Sequence, residues 1–458
     1  MKRLVGLETE YGCLSPENLG PPAVPTQVRD HIFKQKDLGL IDLHDRDYDE
    51  PAGNGGFLFN GGRLYLDMGH VEYCTPECLS LSDVVAYDHA GDVLLQNALG
   101  ELGLREEVSF IKNNIDHYTC ATFGCHENYL LRRDAPLSQT NVDTLLAFLS
   151  TRILLLGAGR VGYTPAPRRV SRVEPAERVR FQISQRADFI QTDIYEWVQF
   201  NRALINARDE PLADYRRFRR LHLLLGDSNM LPYANALKVG MTALVLDLLE
   251  EDKLPRVALA DPVRAMRSLS HKPDGSWRVD LMDGRVVNAV EVLEMFLECV
   301  SKLDLDSDGE WTVRAWTETL DHLRGNRDAL IGKLDWVTKR FLLQSFVEAE
   351  RIGWNHPWLE SLDLEYHQLN PGRSLLTGIP GAKVREADLP KVARRDFLTE
   401  PPANTRAALR SEAMRTILHQ RMSYVIDWDL IYIGEGKQIQ LDDPFACDPR
   451  SLNSFRVE

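Results

Sequence analysis

Polar and apolar positions alternate through "RLYLDMGHVEY", residues 63–73, in the pattern of a half-buried strand. Leu64, Leu66 and Met68 fall on one side and are expected in a core, whereas Arg63, Tyr65 and Asp67 share the other, with Glu72 directly after them. Such a polar face is either a solvated sheet surface or the floor of a site. Similar patterning predicts strands in "KRLVGLETEYGC" as far as Gly12, in "FIKNNID", "GCHENYLLRR" and "FQISQR", and in the tail at "YVIDWDLIYI". Helical periodicity marks residues 81–103, 141–156 and 233–251, and a proline-rich stretch after residue 14 turns helical before residue 35. From the helix at 233–251 to about residue 390 helices dominate, with Trp336 and Phe341 in an amphipathic stretch. Loops are expected over the acidic, glycine-rich segment 41–56 and over the basic, proline-interrupted segment 164–180, and Pro401-Pro402 marks a boundary.

Strands and helices intermixed in this way predict an α+β fold, and 458 residues are enough for one large domain and a smaller one. A net charge of −14 argues against a general nucleic-acid binder, whose domains carry a basic balance. Glu8 and Glu10 interrupt the first apolar stretch, and no uncharged run reaches the ~18 residues that span a bilayer, so no membrane association is expected. Seven scattered cysteines suit reduced thiols and predict a cytoplasmic protein. Cys74, Cys78, Cys120 and Cys125 with His126 lack the paired spacing of a zinc site and are read as small side chains for burial. "GAGRVG", residues 157–162, matches a dinucleotide-binding glycine pattern, but Pro165 and Pro167 block the helix that would hold a pyrophosphate.

Glu8 and Glu10 lie two apart on a predicted strand, hence on one face and about 7 Å apart. Paired carboxylates repel, and burying either one unpaired is costly. A magnesium ion resolves the conflict, because it takes hard oxygen ligands; a solvated strand face is the other reading. Tyr65 and Glu72 add oxygens, Asp67 a carboxylate, and Arg63 a planar cation suited to phosphate. Asn113, Asn114, His126, Glu127, Asn128 and His222 fall on or beside predicted strands and complete the outline of a sheet-lined polar site with metal and phosphate ligands.

The segments "GLETEYG", "NGGRLYLDMGHVEYCTPEC", "GCHENYL", "SQRADF", "INARDEP", "RRLHLLLGDSNM", "LKVG", "LDWVTKR" and "PPANTRAALR" occur in an order that resembles the Pup ligase and depupylase family, relatives of the carboxylate-amine ligases and of glutamine synthetase. The resemblance runs from residue 1 to residue 447. It implies a large domain, residues 1–392, whose curved and mostly antiparallel sheet cradles ATP, and a small C-terminal domain, residues 393–458, that closes the nucleotide site around Trp428. It also implies that Glu8, Tyr65 and Glu72 bind magnesium, that Arg63, Thr75 and Trp428 contact ATP, and that Asp67 is the catalytic acidic residue. Glu10 and His222 stand at motif positions facing the metals and the nucleotide.

The implied chemistry is coherent with those residue types. A carboxylate resists an amine until a phosphoryl group from ATP converts it to an acyl phosphate, and magnesium with Arg63 would offset the charge of that transfer. Asp67 would then take the proton from an incoming lysine ammonium or, in the opposite reaction, activate water or attack the isopeptide carbonyl. The implied partners are a small, disordered, acidic, Pup-like modifier ending in glutamate or glutamine, and lysine-bearing target proteins. Arginines at 168–180 and 216–220 suit docking of such a modifier, or form a solvated rim.

"GDSNM", "LKVG", "GCHENY", "LDWVTKR", "LDLEYH" and "DDPF" resemble the ligases, whereas "GAGRVG", "FQISQR" and the short "DMGHVEY" link lie closer to the depupylases. The balance favours a ligase, with a depupylase or deamidase as the alternative. Leu212 and Val71 stand where the family pattern has histidine and proline, which marks a divergent branch. An idle, modifier-binding relative would lack the acidic set, yet Glu8, Asp67 and Glu72 are present; a small-molecule ligase would lack the "RRLHLLLGDSN" and C-terminal matches.

Overall fold

The computed structural model describes residues 1–16, 19, 22–46, 50–117, 121–162, 180–197, 201–379, 389–391, 395–434, 436–448, 450 and 452. In chain order, the strands of the main sheet are β1 (Val5–Leu14), β2 (Gly39–Ile41), β3 (Gly55–Leu58), β4 (Arg63–Asp67), β5 (His70–Cys74), β6 (Ser109–Ile111) and β7 (Cys125–Arg132). After the small pair β8 (Arg160–Val161) and β9 (Phe181–Gln182) come β10 (Thr192–Tyr195), β11 (Ala203–Asn206) and β12 (Phe218–Leu223). They align as β10-β11-β12-β7-β1-β5-β4-β3-β2, and β6 pairs with the far end of β1. Among the described residues, only β10 and β11 run parallel. The expected α+β class with a mostly antiparallel sheet is what the chain adopts.

Alternation decides which face of this sheet is which. Val5 and Leu7 of β1, Tyr129 and Leu131 of β7, and Leu221 and Leu223 of β12 point into the principal core. Helices α2 (Leu81–Glu101), α3 (Gln139–Thr151), α5 (Pro232–Glu250), α7 (Ala289–Val300) and α8 (Ser307–Gly325) contribute to that core; α1 (Val24–Lys34) and α4 (Ile153–Leu156) precede α5 in the chain. α5 is apolar almost all round and is buried over nearly its whole length, as a helix enclosed by other elements must be. A buried Glu127–Arg152 pair at 2.5 Å also lies on the core side, so Glu127 of the predicted polar set belongs to packing and not to the site.

Two predicted strands are in fact hairpins. Residues 63–73 fold back at Met68-Gly69, where φ is +47° and +91°, the paired positive values of a tight two-residue turn. Met68, expected in the core, is 85 % exposed at the tip, and Val71 beyond the turn is fully buried. The tail likewise forms β15 (Tyr424–Ile426) and β16 (Leu430–Ile433), joined through Trp428 and followed by β17 (Lys437–Gln440), whereas β13 (Arg278–Asp280) and β14 (Val286–Asn288) make a separate hairpin. "FIKNNID" leaves its ladder after Ile111: Lys112 is held at 2.6 Å by Asp88, and Asn114 donates to Ser228 at 2.9 Å, so side chains replace strand partners. No helix starts in "GAGRVG", which carries β8; the basic loop expected after it lies outside the described residues except Arg180.

The C-terminal elements share their core with the large sheet. α11 (Arg406–Gln420), which follows α6 (Pro262–Ser270), α9 (Asp335–Glu350) and α10 (Trp358–Tyr366), packs Leu409, Met414 and Ile417 together with Leu40, Phe57 and Phe59 around β2 and β3. Glu77 fastens this junction, accepting from Arg406 and Arg410 at 2.7 Å each, while Arg410 also donates to the Gly61 carbonyl.

Candidate active site

The face of the sheet turned away from the core carries the predicted residues in rows. Register places Glu10 opposite Glu72 and Glu72 opposite Tyr65. One step along, Glu8 stands between Cys74 and His126, and Cys74 opposite Arg63. Asn128 lies beside Gly6 on one flank and His222 on the other. Asp67 ends β4 at the rim, opposite His70. The sequence set therefore converges, although the residues come from six separate segments.

Two potential metal-ligand groups adjoin on this floor, each with its ligand atoms within 4.8 Å: Glu8 with His126 and His222, and Glu10 with Asp67 and Glu72. In the first, Asn128 donates to Glu8 Oε1 at 2.8 Å and leaves Oε2 facing His126 Nδ1 at 3.2 Å and His222 Nε2 at 3.6 Å. Burial opposes ionisation of Glu8, yet the His222 and His126 imidazoles hold its carboxyl well below the usual range. Both ring nitrogens of His222 are buried without a hydrogen bond, Nε2 lying 3.6 Å from Glu8, which fits a metal ligand. In the second group, burial raises the Glu10 carboxyl to about 7, with the Asp67 charge adding to the rise and Arg186 opposing it. Burial first, then the charges of Glu10 and Glu8, push Glu72 well above its usual range, although Tyr65 donates to it at 2.7 Å. Carboxylates that resist ionising together fit a divalent cation among them. Glu8 and Glu72, paired by the family pattern as ligands of one kind, thus sit in different groups, and Tyr65 acts on Glu72.

A cavity of 240 Å³ opens beside the first group and is lined by Gly6, Glu8, Arg63, Tyr65, Thr75, Asn128, Arg220, Arg406 and Trp428, among others. Five expected nucleotide or metal contacts (Glu8, Arg63, Tyr65, Thr75 and Trp428) therefore share one space. Thr75 Oγ1 accepts from Leu7 N at 3.0 Å, and Trp428 meets Phe57 edge-on with ring centroids 5.1 Å apart. Arg63 is already engaged: it donates to Glu50 at 2.6 Å and Asp42 at 3.1 Å and lies 4.3 Å over the Tyr65 ring, which leaves Nε unpartnered. His222 faces Glu8 and the metal groups and does not line this cavity. A larger cavity, 390 Å³, between the N-terminus, α5 and α8 contains none of the predicted site residues.

Sequence reasoning missed Arg186 and Arg202. Arg186 is 1 % exposed, and its Nε and Nη1 make no hydrogen bond, so a full cation is buried beside Glu10 with donors free. Burial and the charge of Arg202 lower it to about 10, which leaves it charged at neutral pH. Arg202, whose own value burial lowers, interacts with Glu10 and Asp67 and donates to the Thr122 carbonyl at 2.9 Å. Asp227 fixes the turn that presents Arg186, accepting from the backbone N–H groups of Ala158 at 2.8 Å, Gln185 at 2.9 Å and Arg186 at 3.2 Å. No signal in the chain marked Arg186 or Arg202, since "SQR" does not disclose whether its arginine faces water.

Charge-dense carboxylates, two imidazoles and the buried guanidinium of Arg186, two of whose nitrogens make no hydrogen bond, suit transfer of a phosphoryl group to a carboxylate. Comparison with known proteins agrees. The Pup-ligase protein family model matches residues 3–432. The Pup–protein ligase of Acidimicrobium ferrooxidans is 36 % identical over 470 residues, covering 99 % of this chain and 98 % of that one. The Pup–protein ligase of Micrococcus luteus is 33 % identical, with 99 % and 97 % covered. Among solved structures, the complex between the prokaryotic ubiquitin-like protein Pup and its ligase PafA superposes with a TM-score of 0.79 at 29 % identity, covering 99 % of this chain and 90 % of that one. PafA in complex with ADP gives 0.75 at 29 %, with 98 % and 95 % covered. With these residues assembled on this sheet and a match along nearly its whole length, the chain belongs to the Pup-ligase family.

Proposed function

We propose that this chain is an ATP-dependent ligase that joins the side-chain carboxylate of a C-terminal glutamate on a Pup-like modifier to a lysine of a target protein. The observation that carries the reading is the placement of Asp67 at the edge of two adjoining cation-binding groups, with the unpaired guanidinium of Arg186 on the same side. Magnesium held by the carboxylate oxygens of Glu8 and of Glu10 and Glu72, with His126 and His222 beside Glu8, would supply charge neutralisation for the phosphates. Arg186 and Arg202 hold the terminal phosphoryl group as it leaves ADP for the glutamate oxygen, which gives an acyl phosphate. Asp67 then takes a proton from the lysine ammonium; the freed amine attacks the acyl carbon, and phosphate departs as the isopeptide bond forms. The described residues contain no helix long and apolar enough to cross a membrane, and six of the seven cysteines are free, which fits action in a reducing cytoplasm.

The test is intact-mass spectrometry on a mixture of this protein, Mg-ATP, a glutamate-ended modifier, a lysine-bearing acceptor and a preformed conjugate. Growth of the conjugate with one ADP per bond is the expected result. Loss of the conjugate without matching ATP use would overturn the ligase reading in favour of a depupylase.

A further inference from the structure

Three segments singled out in the sequence, "GAGRVG" (157–162), "LDWVTKR" (334–340) and "LDLEYH" (362–367), contribute no residue to the two metal-ligand groups or to the 240 Å³ cavity. The fold brings them together in the interior. Lys339 of α9 is fully buried, and its Nζ donates to three acceptors: Asp363 Oδ1 of α10 at 2.6 Å, His367 Nε2 just beyond that helix at 2.7 Å, and the Gly159 carbonyl at 2.8 Å. Gly159 has φ +73°, and a Cβ there would come within 2.8 Å of Phe181, so the turn that aims this carbonyl inward requires glycine. A second donor meets His367 Nε2 at 2.6 Å, the side-chain amide of Gln185. The orientation of that amide is fixed from its other end. Gln185 Oε1 accepts from the backbone N–H of Asn114 at 2.6 Å, so Nε2 is the atom that faces the imidazole and, at 3.1 Å, the Gly159 carbonyl. With a donor on either side, His367 Nε2 serves as an acceptor and carries no proton.

Gln185 directly precedes Arg186. Because Nε and Nη1 of Arg186 make no hydrogen bond, the head of that side chain is not tied down there, and its direction depends on how firmly its own backbone is held. Asp227 holds that backbone on one side, accepting from the N–H groups of Gln185 and Arg186. On the other side the Gln185 side chain is pinned by Asn114, Gly159 and His367. α9 secures both. Asp335 in its first turn accepts from the Met230 N–H and from Asn229, at 3.0 Å each, just past Asp227, and Lys339 one turn later holds His367. We propose that Lys339 and His367 are positioning residues for phosphoryl transfer, and that through the Gln185 amide they fix where Arg186 presents its unpaired nitrogens. This rests on the ligase reading above and adds residues that act on the reaction from outside the cleft.

The experiment compares His367→Met with His367→Gln, side chains of similar length of which only glutamine keeps an acceptor, in the parent chain and in an Arg186→Met background. Single-turnover conjugation at saturating Mg-ATP, the KM for ATP and the melting temperature are measured for each. Expected for His367→Met is a rate about 10- to 100-fold slower with a KM for ATP within about twofold of the parent's, and recovery to within about threefold in His367→Gln. In the Arg186→Met background, His367→Met is expected to change the rate by less than about twofold, because the group being positioned is gone. A folded His367→Met variant that keeps the parental rate overturns the proposal, as does an equal loss in both backgrounds or the absence of recovery with glutamine. If His367→Met does not fold, Gln185→Met, which cuts the same link from its other end, goes through the same cycle and decides. A parent chain that forms no conjugate with Mg-ATP defeats the ligase reading, a result distinct from a working parent whose variants keep its rate.

Discussion

Asp67 and Arg186 illustrate two ways in which a charge is made useful by its position. Asp67 closes β4 within reach of Glu10 and Glu72, so under the proposed function its replacement by asparagine removes the proton acceptor while leaving the cavity walls intact. Asp67→Asn is expected to lower conjugation by about 100-fold or more, with ADP affinity close to the parent's, as single-turnover and calorimetric assays would show. Arg186 is a buried cation without a partner for two of its nitrogens, which costs stability in the free protein. Arg186→Met is therefore expected to reduce turnover by about 10²–10³-fold and yet leave the denaturant midpoint unchanged or raised. A residue with a purely structural role would lower both. Neither Arg186 nor Arg202 was legible from the chain, because a charged letter does not disclose whether it faces water. The shared faces of Glu8 with Glu10, and of Arg63 with Tyr65 and Asp67, were legible because spacing of two on strands fixes a shared face.

Hairpins are where reading the chain failed, and the reason is parity. "RLYLD" alternates cleanly, but a two-residue turn reverses the count, so Val71 is buried and Glu72 joins the floor, opposite to what unbroken alternation gives. The break was visible: Glu72 falls out of step with Asp67, and Met68-Gly69 is the gap. The same slip joined β15 to β16 across Trp428. Long helices such as α2 and α5 matched their periodic segments closely, since repetition over five turns outweighs errors at the ends. At the turn itself, Met68 holds a positive φ that costs an ordinary residue about 1 kcal/mol, so Met68→Asn, giving Asn-Gly, is expected to raise the stability of the hairpin by about that amount in chemical denaturation. α11 depends on Glu77. Although burial pushes this carboxyl up, Arg410 and Arg406 hold it down to about 2 from an ordinary 4.5. A value lower in the folded state gives stability that is complete above the ordinary value and lost as pH falls through the folded one. Anchoring of α11 should thus weaken between about pH 4.5 and pH 2, by about 3 kcal/mol in all, followed by Trp428 fluorescence; Glu77→Gln should abolish that pH dependence and cost about the same at neutral pH.

A small C-terminal domain was expected from residue 393, but α11 and β15–β17 do not close a core among themselves. Leu409, Met414, Ile417, Ile431 and Ile439 complete theirs with Leu40, Phe57 and Phe59 from the large sheet. Arg46 bridges Asp42 to Asp427, Arg63 holds Asp42 in turn, and the 240 Å³ cavity is walled by both parts. One cooperative calorimetric transition is expected for the whole chain, and a fragment of residues 393–458 should show no folded signal in circular dichroism; two separate transitions would show instead that the C-terminal part folds alone.

Because Glu8 and Glu10 share one strand, the observed alignment puts both on the cleft together. Shift β1 by one residue against β5 and β7, and Val5, Leu7 and Thr9 would face the cleft while both glutamates turned into the apolar interior. Under the proposed function, refolding that trapped such a slip would lower the number of working copies and leave the speed of each correctly aligned molecule untouched.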